Sequence, residues 1–161
     1  MVTQEILKSL FDYDEVSGNL IWKINHPGVM NVGKIAGSYH QGYIRIVVNG
    51  KKYLSHRLIW LMNYGYWPSY IDHINGVRND NRLSNLRIAS MKFNSWNQKI
   101  TTKNTSGIKN VFWHPQAKKW RVRVWAGGKG VSGGLYSDKN DAKIAAINLR
   151  NKLHGEFARH E

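Results

Sequence analysis

The sequence predicts an α+β fold with a strand-rich N-terminal region followed by a three-stranded antiparallel sheet packed on one helix. Short strand patterns lie on both sides of a polar, turn-rich stretch at residues 98–107. A helical pattern with an alanine-rich apolar side follows the last strand pattern. The chain has 161 residues, which suits one domain or two small ones.

The N-terminal elements follow from capping and turn residues. Thr3 is expected to cap a short helix that runs to about Phe11. Strands are predicted at 19–24 and 43–48, and the Asn-Gly pair at 49–50 predicts a hairpin into a next strand. Ser55 is then expected to cap a helix that Gly65 ends in left-handed conformation.

The C-terminal elements are three short strands and a helix. The strands are predicted in the segments NVFWHP, KWRVRVW and GGLYS. The helix is expected to be capped by Ser137 and ended by Gly155. Its apolar side comprises Ala142, Ala145, Ala146, Leu149 and Leu153. We therefore expect one domain at 1–97, a linker at 98–107 and a second domain at 108–158.

The net charge of +14 indicates a polyanionic partner. Residues 101–161 contain twelve basic and four acidic residues, so the C-terminal part is the more basic. Seven tryptophans suit a surface that contacts bases or sugars, but they equally suit a small aromatic core. A basic surface that is merely solvated is the alternative.

Several classes of protein are excluded or disfavoured by composition. The apolar runs are too short to span a bilayer, and the N-terminus lacks the apolar core of a signal peptide. Cysteine is absent, which excludes disulfides and cysteine-ligated zinc. We expect a cytoplasmic protein that is not secreted, has no membrane partner and has no structural zinc.

Residues 70–98 are crowded with asparagine, a poor residue for regular helix or sheet. Phosphodiester hydrolysis needs a base for the water and a cation to neutralise growing negative charge. A neutral histidine and a hard cation on oxygen ligands can meet these needs. Asp72 and His73 are adjacent, so on an extended strand their side chains point to opposite sides. Asn85 and Asn94 follow in sequence and add side-chain amides to this candidate set.

The segments HRLIW (56–60) and IDHINGVRNDNRLSNLR (71–87) resemble HNH endonucleases of the His-Me finger (ββα-metal) type from phage genes and group I intron homing enzymes. The resemblance implies a ββα-metal core at about 56–97. It implies that His73 is the general base, that Asn85 orients His73, and that Asp72 and Asn94 bind the metal. Other HNH enzymes have a final histidine where this chain has asparagine, a variation that this branch accepts.

This resemblance implies metal-dependent cleavage of double-stranded DNA, of homing type. The expected ion is Mg²⁺, with Mn²⁺ as an alternative. One site per chain suits nicking, and the expected state is a monomer or weak dimer. An Asp-His pair alone commonly lies on the protein surface, and Asn85 alone is most simply a turn residue. The alternatives are a non-catalytic DNA-binding regulator on a degenerate HNH scaffold and an RNA-binding protein.

Histidines outside the motif have no obvious partner set. His56 is expected to be structural or to contact phosphate, because it stands at a helix start. The remaining unpartnered histidines are treated as surface residues: His26, His40, His154 and His160.

The strand KKWRVRVW has a cationic face. By period two, Lys119, Arg121, Arg123 and Trp125 share one side, while Trp120, Val122 and Val124 share the other. The first side suits DNA phosphates and base edges, and the alternative is an exposed face that binds nothing. The full set of predicted DNA contacts is Lys119, Arg121, Arg123, Trp125, His114 and Arg57.

Residues 106–157 resemble the ethylene-response-factor (APETALA) DNA-binding domain. The matching pieces are the WRVRV strand, the GLYSD turn and the alanine-rich helix ending in GEFA. The resemblance implies three strands on one helix, with the sheet in the DNA major groove. Phe112, His114 and Trp125 stand near the places of plant arginines, so the plant sequence preference is not transferred.

Overall fold

The computed structural model describes residues 2–25, 31–90, 100, 102 and 104–160. The chain divides into two compact units, Met1–Met91 and Lys92–Glu161. Each unit has an apolar core of its own. The helices and antiparallel sheets form the α+β class that the sequence predicts. No helix in the described ranges is long and apolar enough to cross a membrane.

The N-terminal unit begins with helix α1 (Gln4–Leu10). Thr3 caps it as predicted, because its hydroxyl accepts a hydrogen bond from the backbone N–H of Ile6 at 3.4 Å. Strand β1 (Phe11–Asp14) follows directly and pairs antiparallel with β2 (Asn19–Trp22). The sequence predicted only the second strand of this hairpin. It missed β1 because the strand begins where the helix ends, without a turn residue between them.

A three-stranded antiparallel sheet comes next. It contains β3 (Ser38–His40), β4 (Tyr43–Val48) and β5 (Lys51–Leu54), with β4 in the centre. Asn49 and Gly50 both have positive φ, at 49° and 74°, as a tight hairpin turn requires. The predicted hairpin is therefore confirmed.

Helix α2 (Ser55–Tyr64) starts immediately after β5. The predicted Ser55 cap is wrong, because Ser55 is the first helical residue and Leu54 occupies the cap position without a side-chain bond. Since Leu54 still pairs with Arg45 in the sheet, no separate cap residue fits between strand and helix. Gly65 ends the helix at φ 79°, as predicted. The buried residues of α2 form the middle of the core: Leu58, Ile59, Trp60, Leu61 and Met62.

A second hairpin follows in the same unit. It contains β6 (Ile71–His73) and β7 (Leu86–Ile88), which pair antiparallel. The loop between them, residues 74–85, is here called the site loop, and it closes with a 3-10 turn at Leu83–Asn85. The helix predicted from Ser90, and Asn94 within it, lie outside the described residues.

The C-terminal unit contains β8 (Val111–His114), β9 (Lys119–Ala126) and β10 (Lys129–Tyr136), followed by helix α3 (Lys139–His154). Strand β9 is central and antiparallel to both neighbours. Its inward side packs on α3 around a core of Val111, Val122, Ala142 and Ala146. The predicted three strands and helix are confirmed.

Two details of helix α3 differ from the prediction. Asp138, and not Ser137, caps the helix, because its Oδ1 accepts from the backbone N–H groups of Asn140 and Asp141 at 2.7 and 3.1 Å. His154 is buried, with Nε2 2.9 Å from the Trp125 carbonyl oxygen, so its expected surface position is wrong. Periodicity places it on the inner face, where a polar group needs a partner. Gly155 follows the helix end as predicted.

Candidate active site

Strand β6 places Asp72 and His73 on opposite sides of the hairpin, as an extended backbone requires. Asp72 faces Arg87 across the ladder, and the Oδ2 atom of Asp72 accepts from Nε and Nη2 of Arg87 at 3.0 and 2.8 Å. Both side chains are largely buried, so this ion pair fixes the carboxylate. The strand register could have predicted Arg87 as its partner, but the motif alone did not.

His73 is 5% exposed, and its Nε2 lies 3.1 Å from Oδ1 of Asn81, which is 1% exposed. An amide oxygen only accepts hydrogen bonds, so this arrangement places the imidazole hydrogen on Nε2. Nδ1 is then the nitrogen that can take up a proton. Asn81 therefore selects the tautomer of His73, a role that the sequence did not assign to it.

Burial lowers the pKa of His73 below its usual value of 6.5. The hydrogen bond with Asn81 and the charges of Asp72 and Asp80 act in the opposite direction, while Arg78 lowers the pKa further. Because the pKa of His73 is lowered overall, the imidazole is neutral at neutral pH. A neutral imidazole is the form that can act as a base.

Asn85 holds the site loop. Its Oδ1 accepts from the backbone N–H of Asn75 at 2.9 Å, and its Nδ2 donates to the carbonyl oxygen of Asp80 at 2.8 Å. These bonds span the loop that carries Asn81, which in turn contacts His73. The predicted orientation of His73 by Asn85 stays a prediction, and the bonds described here act through the loop backbone.

Within the site loop, Asp80 is the central acceptor. It binds Arg82 through both carboxylate oxygens, at 2.7 and 2.6 Å, and accepts from Asn75 Nδ2 at 2.7 Å. The Arg82 guanidinium holds the pKa of Asp80 at about 2. The many polar residues of this stretch thus bond largely to one another.

The β1–β2 hairpin contacts the site loop at residues 81–83. The Tyr13 hydroxyl accepts from the backbone N–H of Leu83 at 2.9 Å and donates to the Asn81 carbonyl oxygen at 3.3 Å. At Gly18, a Cβ would stand 2.6 Å from the carbonyl carbon of Asn81. Only glycine allows this close approach. Sequence reasoning missed both supports, because neither has a local signal that points to residues 81–83.

Two aromatic rings, those of His56 and Tyr43, lie close to His73. The His56 ring meets it edge-on with centroids 5.0 Å apart, and the Tyr43 ring lies 6.2 Å from it. His56 is buried, and burial together with the charges of His73 and Arg57 lowers its pKa to about 3. The neutral His56 therefore acts as a packing partner of His73 in the structure.

Comparison with known proteins identifies the family. Residues 53–95 match the HNH endonuclease family. The chain is similar to Protein 3.8 of Escherichia phage T7, with 38% identity over 108 residues that cover 65% of this chain and 87% of the phage protein. The chain belongs to the family of Protein 3.8 and carries an HNH endonuclease domain. No solved structure matches it.

HNH endonucleases generally use a divalent metal, so the donor set of this HNH domain can be tested for fit. Asp72 supplies a buried carboxylate, the kind of hard oxygen ligand that Mg²⁺ prefers. Asn94, the second predicted ligand, is not among the described residues. Within the described ranges, no group of three His, Cys, Asp or Glu residues could hold a metal by itself. Among the described residues, Asp72 is therefore the one predicted ligand, and its Oδ2 also accepts from Arg87.

The C-terminal unit of this HNH protein presents the cationic strand face predicted from period two. Lys119, Arg121 and Trp125 of β9 are exposed, whereas Val122 and Val124 are buried. The Arg123 guanidinium lies over the Trp125 ring at 4.9 Å. Arg121 is flanked by Phe112 on β8 and by Leu135 on β10. The face therefore combines cations with exposed apolar side chains.

The two other predicted DNA contacts occupy different settings. His114 lies at the end of β8, and its Nδ1 accepts from the backbone N–H of Ala117 at 3.2 Å. Arg57 on α2 donates to the carbonyl oxygens of Pro68 and Ser69 at 2.8 and 3.4 Å and lies over the Trp67 ring. These bonds fix the connection after α2, and a DNA contact by Arg57 stays a prediction.

Proposed function

We propose that this chain is a metal-dependent DNA endonuclease in which His73 is the general base. The observation that supports this most strongly is the buried His73, whose lowered pKa and bond to Asn81 give a neutral ring of defined tautomer. It lies inside the segment that matches HNH endonucleases. The fixed carboxylate of Asp72 comes directly before it on the same strand.

In this proposal Nδ1 of His73 takes a proton from the water that attacks the phosphate. Asn81 keeps the ring in the tautomer that can do so. Asp72 and Asn94 would hold the divalent ion, and that ion supplies neutralisation of the negative charge on the phosphate and leaving oxygen. We infer Mg²⁺ for it, with Mn²⁺ as the alternative.

We further propose that the C-terminal unit is a DNA-binding module of the ethylene-response-factor type. Its three strands on one helix and its cationic β9 face support this assignment. The proposed contacts are Lys119, Arg121, Arg123, Trp125 and His114, joined by Arg57 from the nuclease unit. The proposed domain bounds are 1–97 and 108–158, with residues 98–107 as the linker.

The substrate proposed is double-stranded DNA, cleaved in the manner of homing enzymes inside the cytoplasm. One site per chain supports nicking by a monomer, and double-strand cleavage would need a weak dimer or successive nicks. The competing function is a DNA-binding regulator that keeps the HNH scaffold without cutting. The neutral His73 beside Asp72 favours the enzyme, because a scaffold alone does not require either group.

Cleavage of supercoiled plasmid tests the proposal. The intact protein with Mg²⁺ is expected to convert plasmid to open circles or linear DNA, and EDTA is expected to stop the reaction. His73→Ala should lower the rate at least 10²-fold, which is the scale of general-base catalysis, while duplex affinity stays near that of the unaltered protein. His160→Ala, in the other unit, is the control and should cut normally. Equal cutting by His73→Ala would refute the assigned base, and binding without cutting by the unaltered protein would favour the regulator.

A further inference from the structure

Arg78 is an exposed cation on the site loop. It lies next to the Tyr43 ring, which in turn lies near His73. Its Cζ lies 5.1 Å from the centroid of the Tyr43 ring. The same ring lies 6.2 Å from the imidazole of His73. Tyr43 therefore connects the guanidinium of Arg78 with the proposed base.

Arg78 differs from its neighbours in that the described residues include no acidic ion-pair partner for it. Arg82 binds Asp80, and Arg87 binds Asp72. Across the part of the chain that the structure describes, no carboxylate lies within ion-pair distance of Arg78. A guanidinium that is exposed and not neutralised is suited to bind an anion from outside the protein.

The aliphatic stem of Arg78 lies against the turn that contains Gly42. At Gly42, which has φ 89°, a Cβ would lie 3.2 Å from Cδ of Arg78. The turn between β3 and β4 thus leaves room for the aliphatic part of the side chain. The Tyr43 ring then holds the guanidinium by a cation–π contact. A cation held in this way loses less conformational entropy when it binds an anion.

We propose that Arg78 binds the DNA phosphate that is attacked by the water from which His73 takes a proton, and that Tyr43 and Gly42 hold the guanidinium in place for this contact. The inference rests on the proposed nuclease function and adds a residue that fixes the substrate. A guanidinium can donate two parallel hydrogen bonds to phosphate oxygens. It would thereby orient the phosphorus toward the water next to His73 and offset charge that grows during attack.

The competing explanation is that Arg78 only packs on Tyr43. Arg78→Met separates the two, because methionine keeps an apolar stem over the ring and removes the charge. Arg78→Lys keeps the charge and loses the paired donors. Lys8→Met is the matched control, since it removes one positive charge from α1 of the same unit. Thermal melts establish that each variant is folded at the assay temperature.

Two readouts decide between these explanations. The first is affinity for a duplex oligonucleotide in EDTA at several salt concentrations, measured by fluorescence anisotropy. The slope of log K against log[salt] is negative, and for Arg78→Met it should become shallower by about 0.9, the value for one phosphate that is no longer neutralised. Arg78→Lys should keep most of the slope of the unaltered protein. The second is the single-turnover cleavage rate with Mg²⁺, which should fall about 10- to 100-fold in Arg78→Met, the scale of removing one charged hydrogen bond.

Several outcomes would overturn the inference. An unchanged salt slope and rate in Arg78→Met, relative to Lys8→Met, would show that the residue binds no phosphate. A loss of affinity with unchanged slopes in both Arg78 variants would identify packing as its role. If the unaltered protein binds duplex but never cuts, the nuclease proposal fails, while the salt slopes still decide whether Arg78 binds phosphate.

Discussion

Tyr13 donates a hydrogen bond of 3.3 Å to the carbonyl oxygen of Asn81, which lies 68 residues later in the chain. The side chain of Asn81 in turn meets Nε2 of His73. The N-terminal hairpin is therefore part of the candidate site, since it positions the residue that selects the tautomer of His73. Burial raises the pKa of the Tyr13 hydroxyl, so it stays a donor under any ordinary assay condition.

Gly18→Ala should impair cleavage by displacing the site loop, because the new Cβ would press on the backbone of Asn81 and Arg82. Gly50→Ala is the matched control, since both glycines have φ 74° and nothing lies within 4 Å of a Cβ at Gly50. The control should lose about 1 kcal/mol of stability from left-handed strain. Gly18→Ala should lose more and cut several-fold more slowly. Thermal melts and plasmid nicking measure both, and equal losses in the two variants would contradict the role given to Gly18.

Asp72→Asn should raise the Mg²⁺ concentration needed for half-maximal nicking, because a neutral amide is a weaker ligand for a hard cation than a carboxylate. We expect at least about a 10-fold increase. Asp12→Asn is the control, since Asp12 is exposed and pairs only with Lys23 among the ion pairs described. The measurement is the nicking rate against Mg²⁺ concentration for each variant. Half-saturation that does not change in Asp72→Asn would place the metal on other residues.

His56 should make the protein less stable in acid. Its folded-state pKa of about 3 is below the unfolded value of 6.5, so only the unfolded chain takes up this proton between those values. Stability is thus retained above pH 6.5 and decreases as the pH falls toward 3. The groups that act on His56 are His73, Arg57 and the Tyr43 ring.

His56→Gln tests this linkage, because glutamine does not titrate. The melting temperature of the unaltered protein should fall between about pH 7 and about pH 4.5, and the fall should be smaller in His56→Gln. Some slope should remain, since burial also lowers the pKa of His73. His160→Gln serves as the control, and its slope should stay closer to that of the unaltered protein. Parallel curves for His56→Gln and the unaltered protein would show that His56 does not supply the linkage.

Replacing Arg121 and Arg123 together by Ala in the full chain should weaken duplex binding. The negative slope of log K against log[salt] should become shallower by up to about 1.8, or about 0.9 for each phosphate that is no longer neutralised. The double change of Lys143 and Lys152 to Ala removes the same charge from exposed positions of α3 and is the control. Gel shifts at several salt concentrations measure both. Loss of sequence preference would place the arginines at base edges, and uniform weakening would place them on phosphates. Equal effects in both double variants would leave the β9 face without a specific role.

Local patterns in the sequence determined most of the secondary structure. The Asn49-Gly50 hairpin, the helix end at Gly65 and the three C-terminal strands follow from turn chemistry and periodicity that act over a few residues. Adjacency alone placed Asp72 and His73 on opposite sides of one strand. The cap at Asp138 was missed by one position, because neighbouring serine and aspartate are both good caps.

The tertiary structure decided which residues meet at the site. Residues 70–98 contain many asparagines of similar chemistry, and only folding brings Asn81 to His73 while Asn85 turns to the loop backbone. Likewise, nothing local marks Tyr13 as the support of a loop 68 residues away. Such pairings depend on side-chain geometry between distant segments, which the types and spacing of neighbouring residues do not specify. The sequence determined most of the elements and the residue types of the chemistry, and packing between distant elements determined which residues are partners.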